Sequence, residues 1–328
     1  MTDTVPFILD TDTAQDDCVA MLFGLLDPKA DLRAVTMVAG NIGFDRQVEN
    51  AAMTMNVAGR LGEVPIHLGC TQPMLREWVS AEEVHGDGSG GLKMEMPQDV
   101  ISEQHGVDAL LEITAKDPGK VSVVAIGPLT NIAMAVAKDR EFVRNVKSLY
   151  IMGGSNNGRG NTTSAAEFNF YVDPEAAQIV MDAGFADIHI IDWDPVTLRD
   201  ATYTRDEYHR MCQAGESNRT PLASFFQSVC DATLDFNESV GVDGSTHPDS
   251  MTAACLLHPE LMLEVGNYRV DVECKSELTR GYSAMAWDKF DIVPNAVVVE
   301  RADKEAFREM LTELLRQETK PNVPMLGL

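Results

Sequence analysis

Four aspartates fall within eight residues near the start of the chain, in the run Asp10-Thr11-Asp12-Thr13-Ala14-Gln15-Asp16-Asp17. Carboxylates set so close repel one another, and a divalent cation is the natural offset. Calcium suits such a set because it accepts about six to eight oxygens and mixes carboxylates with backbone carbonyls. A metal-free reading also exists: Asp16 and Asp17 would lie in the first turn of a helix, where the macrodipole favours anions. An EF-hand loop counted from Asp10 fails, since its required Gly and Glu are here Gln15 and Met21.

The elements that must position these aspartates follow from patterning. Short β-branched runs alternate with longer amphipathic segments, which predicts an open α/β fold with a mostly parallel central sheet and helices on both faces. Strands are expected at Val5 to Leu9, Leu32 to Val38, Pro65 to Leu68, Val121 to Ile126, Ser148 to Met152 and Asp187 to Ile191. Helices are expected at Asp16 to Leu26, Arg46 to Leu61, Val107 to Lys116, Leu129 to Ala137 and Pro174 to Ala183. In the first of these Cys18, Met21, Leu22 and Leu25 mark one apolar face, and Pro28 lies just beyond its end. From about Tyr203 the pattern turns helical, with Arg205 to Ala214, Leu222 to Glu238 and Asp249 to Leu257. Three β-like runs follow, Tyr268 to Cys274, Tyr282 to Ala286 and Ile292 to Val299, before a last helix Lys304 to Arg316. With no repeat or linker in view, residues 1–328 read as a single domain with a helical insertion in its C-terminal third.

Ligands of open α/β sheets collect outside the carboxyl ends of the strands. The residues expected there are unusually polar: the four aspartates, Gly40-Asn41, Gly127-Pro128, Gly153-Gly154-Ser155-Asn156-Asn157 and Asp192-Trp193-Asp194. Glu167, set between Ala165-Ala166 and Phe168, is a carboxylate in an apolar setting and needs a partner there. Asn41 and Asn161 adjoin glycines and also suit turns. Met152 and Trp193 also suit a core. A strand followed by Asp10-Thr11-Asp12-Thr13 comes close to the D-x-D-x-T of haloacid-dehalogenase-like phosphatases, with Asp10 as phosphoryl-accepting nucleophile. That alternative leaves Asp16-Asp17 and Glu167-Phe168-Asn169 without a role.

With 51 acidic against 26 basic residues the net charge is -25, which argues against nucleic acid as a partner. A phosphate-free nucleoside is not excluded. The apolar runs are too short to span a bilayer, and the start, Met1-Thr2-Asp3-Thr4-Val5-Pro6, carries no basic leader, so a cytoplasmic protein without membrane association is expected. Cys18, Cys70, Cys212, Cys230, Cys255 and Cys274 form no C-x-x-C pair and are expected as reduced packing residues.

Taken in order, the motifs resemble those of the inosine-uridine nucleoside hydrolases. The opening D-x-D-x-x-x-D-D is met by Asp10, Asp12, Asp16 and Asp17. It is followed by Gly40-Asn41, His85-Gly86, Gly127-Pro128-Leu129-Thr130-Asn131, Met152-Gly153-Gly154, Asn161 with Glu167-Phe168-Asn169, and Asp194-Pro195-Val196-Thr197. The resemblance implies a nucleoside hydrolase-like fold, hydrolysis of ribonucleosides to ribose and free base in nucleoside catabolism and salvage, and a homodimer or homotetramer. It implies Ca²⁺ held by Asp12, Asp17, the backbone carbonyl near Ile126 and a late aspartate, for which Asp249 is the candidate. Asp12 would be the general base acting on a Ca-bound water. Asp16, Asn41, Asn161, Glu167 and Asn169 would hold ribose hydroxyls, with Met152 lining the pocket. Carboxylates around the sugar suit an oxocarbenium-like transition state.

Two departures stand out. The family usually has Pro-Gly where this chain has Thr13-Ala14. Its late His-Asp-Pro reads here as Thr246-His247-Pro248-Asp249-Ser250, so the position before Asp249 is a proline. His247 and His85 are then the two candidates for protonating the departing base, His85 from a glycine-rich loop able to fold over substrate. A ribosyl-binding protein without catalysis is the remaining alternative.

Overall fold

In the computed structural model, which describes residues 4–97, 99–156, 158–214, 219–287 and 292–328, ten strands form one sheet. In chain order they are β1 (Val5–Thr11), β2 (Ala30–Met37), β3 (Ile66–Leu68), β4 (Ile101–Ser102), β5 (Ser122–Ala125), β6 (Leu149–Met152), β7 (Ile188–Ile191), β8 (Met262–Val272), β9 (Ser283–Trp287) and β10 (Ala296–Ala302). Their spatial order is β9-β8-β10-β7-β6-β5-β1-β2-β3-β4. All neighbours from β10 to β4 are parallel, while β8 runs antiparallel to both β9 and β10. The expected mostly parallel α/β architecture is therefore observed.

The longer helices are α1 (Gln15–Leu26), α2 (Phe44–Val57), α3 (Gly106–Lys116), α4 (Thr130–Lys138), α5 (Pro174–Asp182), α6 (Arg205–Cys212), α7 (Pro221–Ser239), α8 (Pro248–Leu257) and α9 (Lys304–Leu315). Side chains alternate across the sheet. Phe7 and Leu9 of β1 join a core with α1, α2, α7, α8 and α9; Ile8 joins the opposite core with α3, α4 and α5. All three are completely buried, as expected for a central parallel strand covered on both faces.

Three expectations needed correction. Helix α1 is buried from Gln15 to Leu25 rather than on one stripe, because α2, α7 and α8 surround it. Strand β8 begins at Met262, well before Tyr268, along a stretch broken by Gly266-Asn267 whose apolar Leu263 and Val265 are exposed. The two-residue edge strand β4 was not foreseen, being too short to show a period. Asn157 and the first three residues lie outside the described residues. All six cysteines are free; Cys18, Cys212, Cys230 and Cys255 are packed in the core. Among the described residues no helix is long and apolar enough to cross a membrane.

Candidate active site

Strand β1 ends at Thr11 and α1 begins at Gln15, so the acidic run is the turn between the central strand and the most enclosed helix. Its four aspartates separate into different environments. Asp10, still in the sheet, accepts from Thr36 Oγ1 at 2.5 Å and Asn131 Nδ2 at 2.8 Å through Oδ2. It is fully buried, does not line the cavity, and is pushed up to about 7 by that burial. This is a poor place for a phosphoryl acceptor.

Asp12 lies deepest. Its Oδ2 accepts the Asn41 backbone N–H at 2.8 Å, while Oδ1 is buried without a hydrogen-bond partner. Glycines make the room it occupies: a Cβ at Gly40 would stand 2.0 Å from its Oδ2, and one at Gly127 2.7 Å from its Oδ1. Both glycines follow strands that flank β1, which explains the Gly40-Asn41 and Gly127-Pro128 pairs. Asp17 accepts from Thr11 Oγ1 at 2.6 Å, Ala14 N–H at 3.2 Å and Asn41 Nδ2 at 3.1 Å. Asp249, in the first turn of α8, comes from the far end of the sequence to the same floor.

Burial drives these acids toward their neutral forms. Asp12 is held well above the usual carboxylate range by burial and by the Asp17 charge. Burial likewise raises Asp17 to about 6. For Asp249 burial is joined by repulsion from Asp17, Asp16, Asp12 and Glu167. Among the described residues no three His, Cys, Asp or Glu side chains stand close enough to hold an ion as they are. Ile126 lines the cavity, and its carbonyl accepts a hydrogen bond from Asn169 Nδ2 at 2.9 Å; a carbonyl has a second lone pair to offer.

Above this floor opens a cavity of about 500 Å³, within the ~300–1,000 Å³ of small-molecule sites. Asp16, Asp17, Asn41, Met152, Asn161, Glu167, Asn169 and Asp249 all line it. Asn169 stitches the ends of β5 and β6, donating to Ile126 O and Met152 O. Glu167 finds the partners its apolar setting demands in the N–H groups of Gly154, Asn169 and Phe170, and burial still raises it to about 7. Asn161 is exposed, its Oδ1 accepting from Phe168 N–H at 2.8 Å.

A further wall is made by Thr233 and Phe236 of α7 and Val240 just past its end, with Val79, Val84 and His85, while Trp193 lines the cavity from just past β7. None of the α7 residues was legible as a site residue, because helical periodicity does not say which distant segment roofs a cavity. His85 Nδ1 is 3.5 Å from Thr233 Oγ1, and burial of the ring lowers it to about 4, leaving a neutral imidazole at neutral pH. The segment carrying it is fastened to the floor by Trp78 Nε1 to Gly40 O at 2.8 Å and Ala81 N–H to Asn41 O at 2.6 Å. Asn50 Nδ2 joins Thr13 O to Asp87 O, at 3.3 and 3.2 Å. His247 is not brought to the cavity. It is completely buried behind Asp16, and Pro248 takes the lining position.

The inosine-uridine preferring nucleoside hydrolase family model matches residues 7–309 of the chain. The chain is 31% identical over 319 residues to a protein named pyrimidine-specific ribonucleoside hydrolase RihA from Citrobacter koseri, covering 95% of this chain and 98% of that protein. It is 32% identical over 311 residues to an uncharacterized protein of Schizosaccharomyces pombe, covering 94% and 98%. Among solved structures, a plant nucleoside hydrolase superposes with a TM-score of 0.85 at 26% identity, over 95% of this chain and 99% of that one. An inosine-guanosine nucleoside hydrolase shares the fold with a TM-score of 0.86 at 23% identity, over 96% and 100%.

Proposed function

The chain belongs to the inosine-uridine preferring nucleoside hydrolase family, and from that premise we propose that it cleaves ribonucleosides to ribose and free base with Ca²⁺ at the aspartate floor. The observation that carries the reading is the convergence of Asp12, Asp17 and Asp249, brought together by the starts of α1 and α8, at a cavity lined by Asn41, Glu167 and Asn169. We read residues 1–328 as one domain on the same ground, since the late helix α8 completes a site begun by β1.

The floor fits a calcium ion by its donors. Asp12 Oδ1 is an orphaned buried oxygen, Asp17 and Asp249 are buried acids that repel it, and Ile126 O keeps a lone pair. Bound there, the ion would neutralise the three carboxylates, draw them together and acidify water. Asp12 then takes a proton from the attacking water as the water oxygen bonds to the anomeric carbon. The bond from that carbon to the base breaks, its electron pair leaves with the base, and the base takes a proton from solvent as Asp12 returns the one it took. Asn41, Asn161, Glu167 and Asn169 hold the ribose, and the buried carboxylates stabilise the positive charge that develops on it. His85, neutral and in the cavity lining, is the histidine placed to meet the base.

Purine and pyrimidine ribonucleosides incubated with the Ca²⁺-loaded protein and assayed for reducing sugar test the reading. Ribose release from at least one is expected, and none from any overturns it. Calorimetric binding without release would instead favour a ribosyl-binding protein.

A further inference from the structure

Pro248 lines the cavity, and His247, one residue earlier, lies behind it. The His247 ring lies between Phe226, with centroids 5.4 Å apart and planes at 23°, and Tyr203, 5.9 Å away. Nε2 is 2.9 Å from Ser245 Oγ, and Nδ1 is 3.2 Å from Asp16 Oδ1. A carboxylate only accepts, so Nδ1 carries the hydrogen. With both nitrogens engaged and no surface exposed, the imidazole has no path to a base in the cavity.

Asp16 gathers more than this one donor. Its Oδ1 also accepts Ser250 Oγ at 2.9 Å, and its Oδ2 accepts the backbone N–H groups of Asp249 at 2.6 Å and Ser250 at 3.3 Å. A carboxylate offers about four lone-pair sites, so the protein can occupy all of them. A side chain at the start of α1 thus caps the start of α8, and the segment it caps carries Asp249. Asp16 is therefore spent on holding α8 more than on holding ribose.

Resting on the hydrolase reading above, we propose that His247 is a positioning residue. It fixes Asp16, and through Asp16 the entry of α8 and Asp249, and it does not protonate the departing base. Partners of this kind behind a metal site typically change affinity or rate by about 10–100-fold.

The test compares His247→Gln, which keeps a donor, with His247→Phe, which fills the aromatic slot without one. Substrates are the nucleosides cleaved by the unmodified enzyme and a 4-nitrophenyl riboside, whose leaving group needs no proton. Positioning predicts that His247→Phe slows both substrate types by the same factor, about 10–100-fold, and weakens Ca²⁺ binding by calorimetry in the same range, with His247→Gln nearer the unmodified protein. It also predicts no further loss when either change is added to Asp16→Asn. Slowed nucleosides with an unaffected nitrophenyl riboside would make His247 the acid and overturn the proposal. So would normal rates and Ca²⁺ affinity in His247→Phe, or losses that add to those of Asp16→Asn. If the unmodified protein cleaves neither substrate type, the hydrolase reading fails, whereas the Ca²⁺ affinities and their cycle with Asp16→Asn still judge the positioning role.

Discussion

The floor and the wall of the cavity are built on opposite principles. The floor, from Asp12 through Asn41 to Ile126 and Asn169, is made where parallel strands end, with glycines allowing side chains to approach backbone closely. The wall comes from α7 and the His85 segment, joined by side-chain contacts and a few hydrogen bonds. A floor of this kind leaves its charges little room to shift. A wall of this kind can be rebuilt residue by residue. Reaction type should therefore belong to the floor and base preference to the wall.

The substitution expected to cost most is on the floor. Asp12→Asn keeps the shape but removes the proton acceptor, and kcat should fall by about 10²–10⁴ with the nucleoside KM changed little. Steady-state kinetics of the Ca²⁺-loaded variant decide it. Near-normal kcat would mean that the base lies elsewhere and that floor and wall are less distinct in role than their construction suggests.

How much of this was legible follows from the same division. Asp10 to Asp17 could be read as a site because they follow a β-branched run directly, and strand ends are where α/β sheets gather ligands. Glu167 was legible as a buried carboxylate needing a partner, though not the three N–H groups it found. The glycine cradle of Asp12 was visible only as motif pairs, because contact between Gly40, Gly127 and Asp12 depends on strand register. His247 could not be placed: beside a helix start, a shift of one residue turns a side chain from cavity to core. Thr233 and Phe236 lie on a helix far from the acidic run in sequence, with Val240 at its end, and only tertiary packing brings them to the cavity.

A change on the wall should have a smaller and more selective effect. Phe236 is the aromatic of α7 in the cavity lining, where a base can stack on it. Phe236→Ala should raise KM by about tenfold or more for the preferred nucleosides, reorder preference among bases, and leave Ca²⁺ affinity unchanged. Measuring kcat and KM across several nucleosides sharpens the comparison. An equal fall in kcat for every base, with KM unmoved, would instead make α7 part of the chemistry.

The smallest expected effect sets the two regions against each other through pH. Asp17 and Glu167, with ordinary values of 3.8 and 4.5, are raised by burial to about 6 and about 7 in the fold. Their contribution to stability is full below the unfolded values and is lost as pH rises through about 6 to 7. His85 moves oppositely, lowered from 6.5 to about 4, so its contribution is present above 6.5 and is lost as pH falls toward 4. The raised carboxylates outnumber the one lowered imidazole, and Asp12 and Asp249 shift in the same direction as Asp17. The Tm of metal-free protein should therefore fall by a few degrees between about pH 5 and about pH 8. Calcium binds deprotonated ligands, so it should raise Tm more at the higher pH. A Ca²⁺ increment equal at both ends would separate the ion from the floor carboxylates. An increment growing with pH, and growing less in Asp12→Asn, would tie the pH response of the whole fold to one end of its cavity.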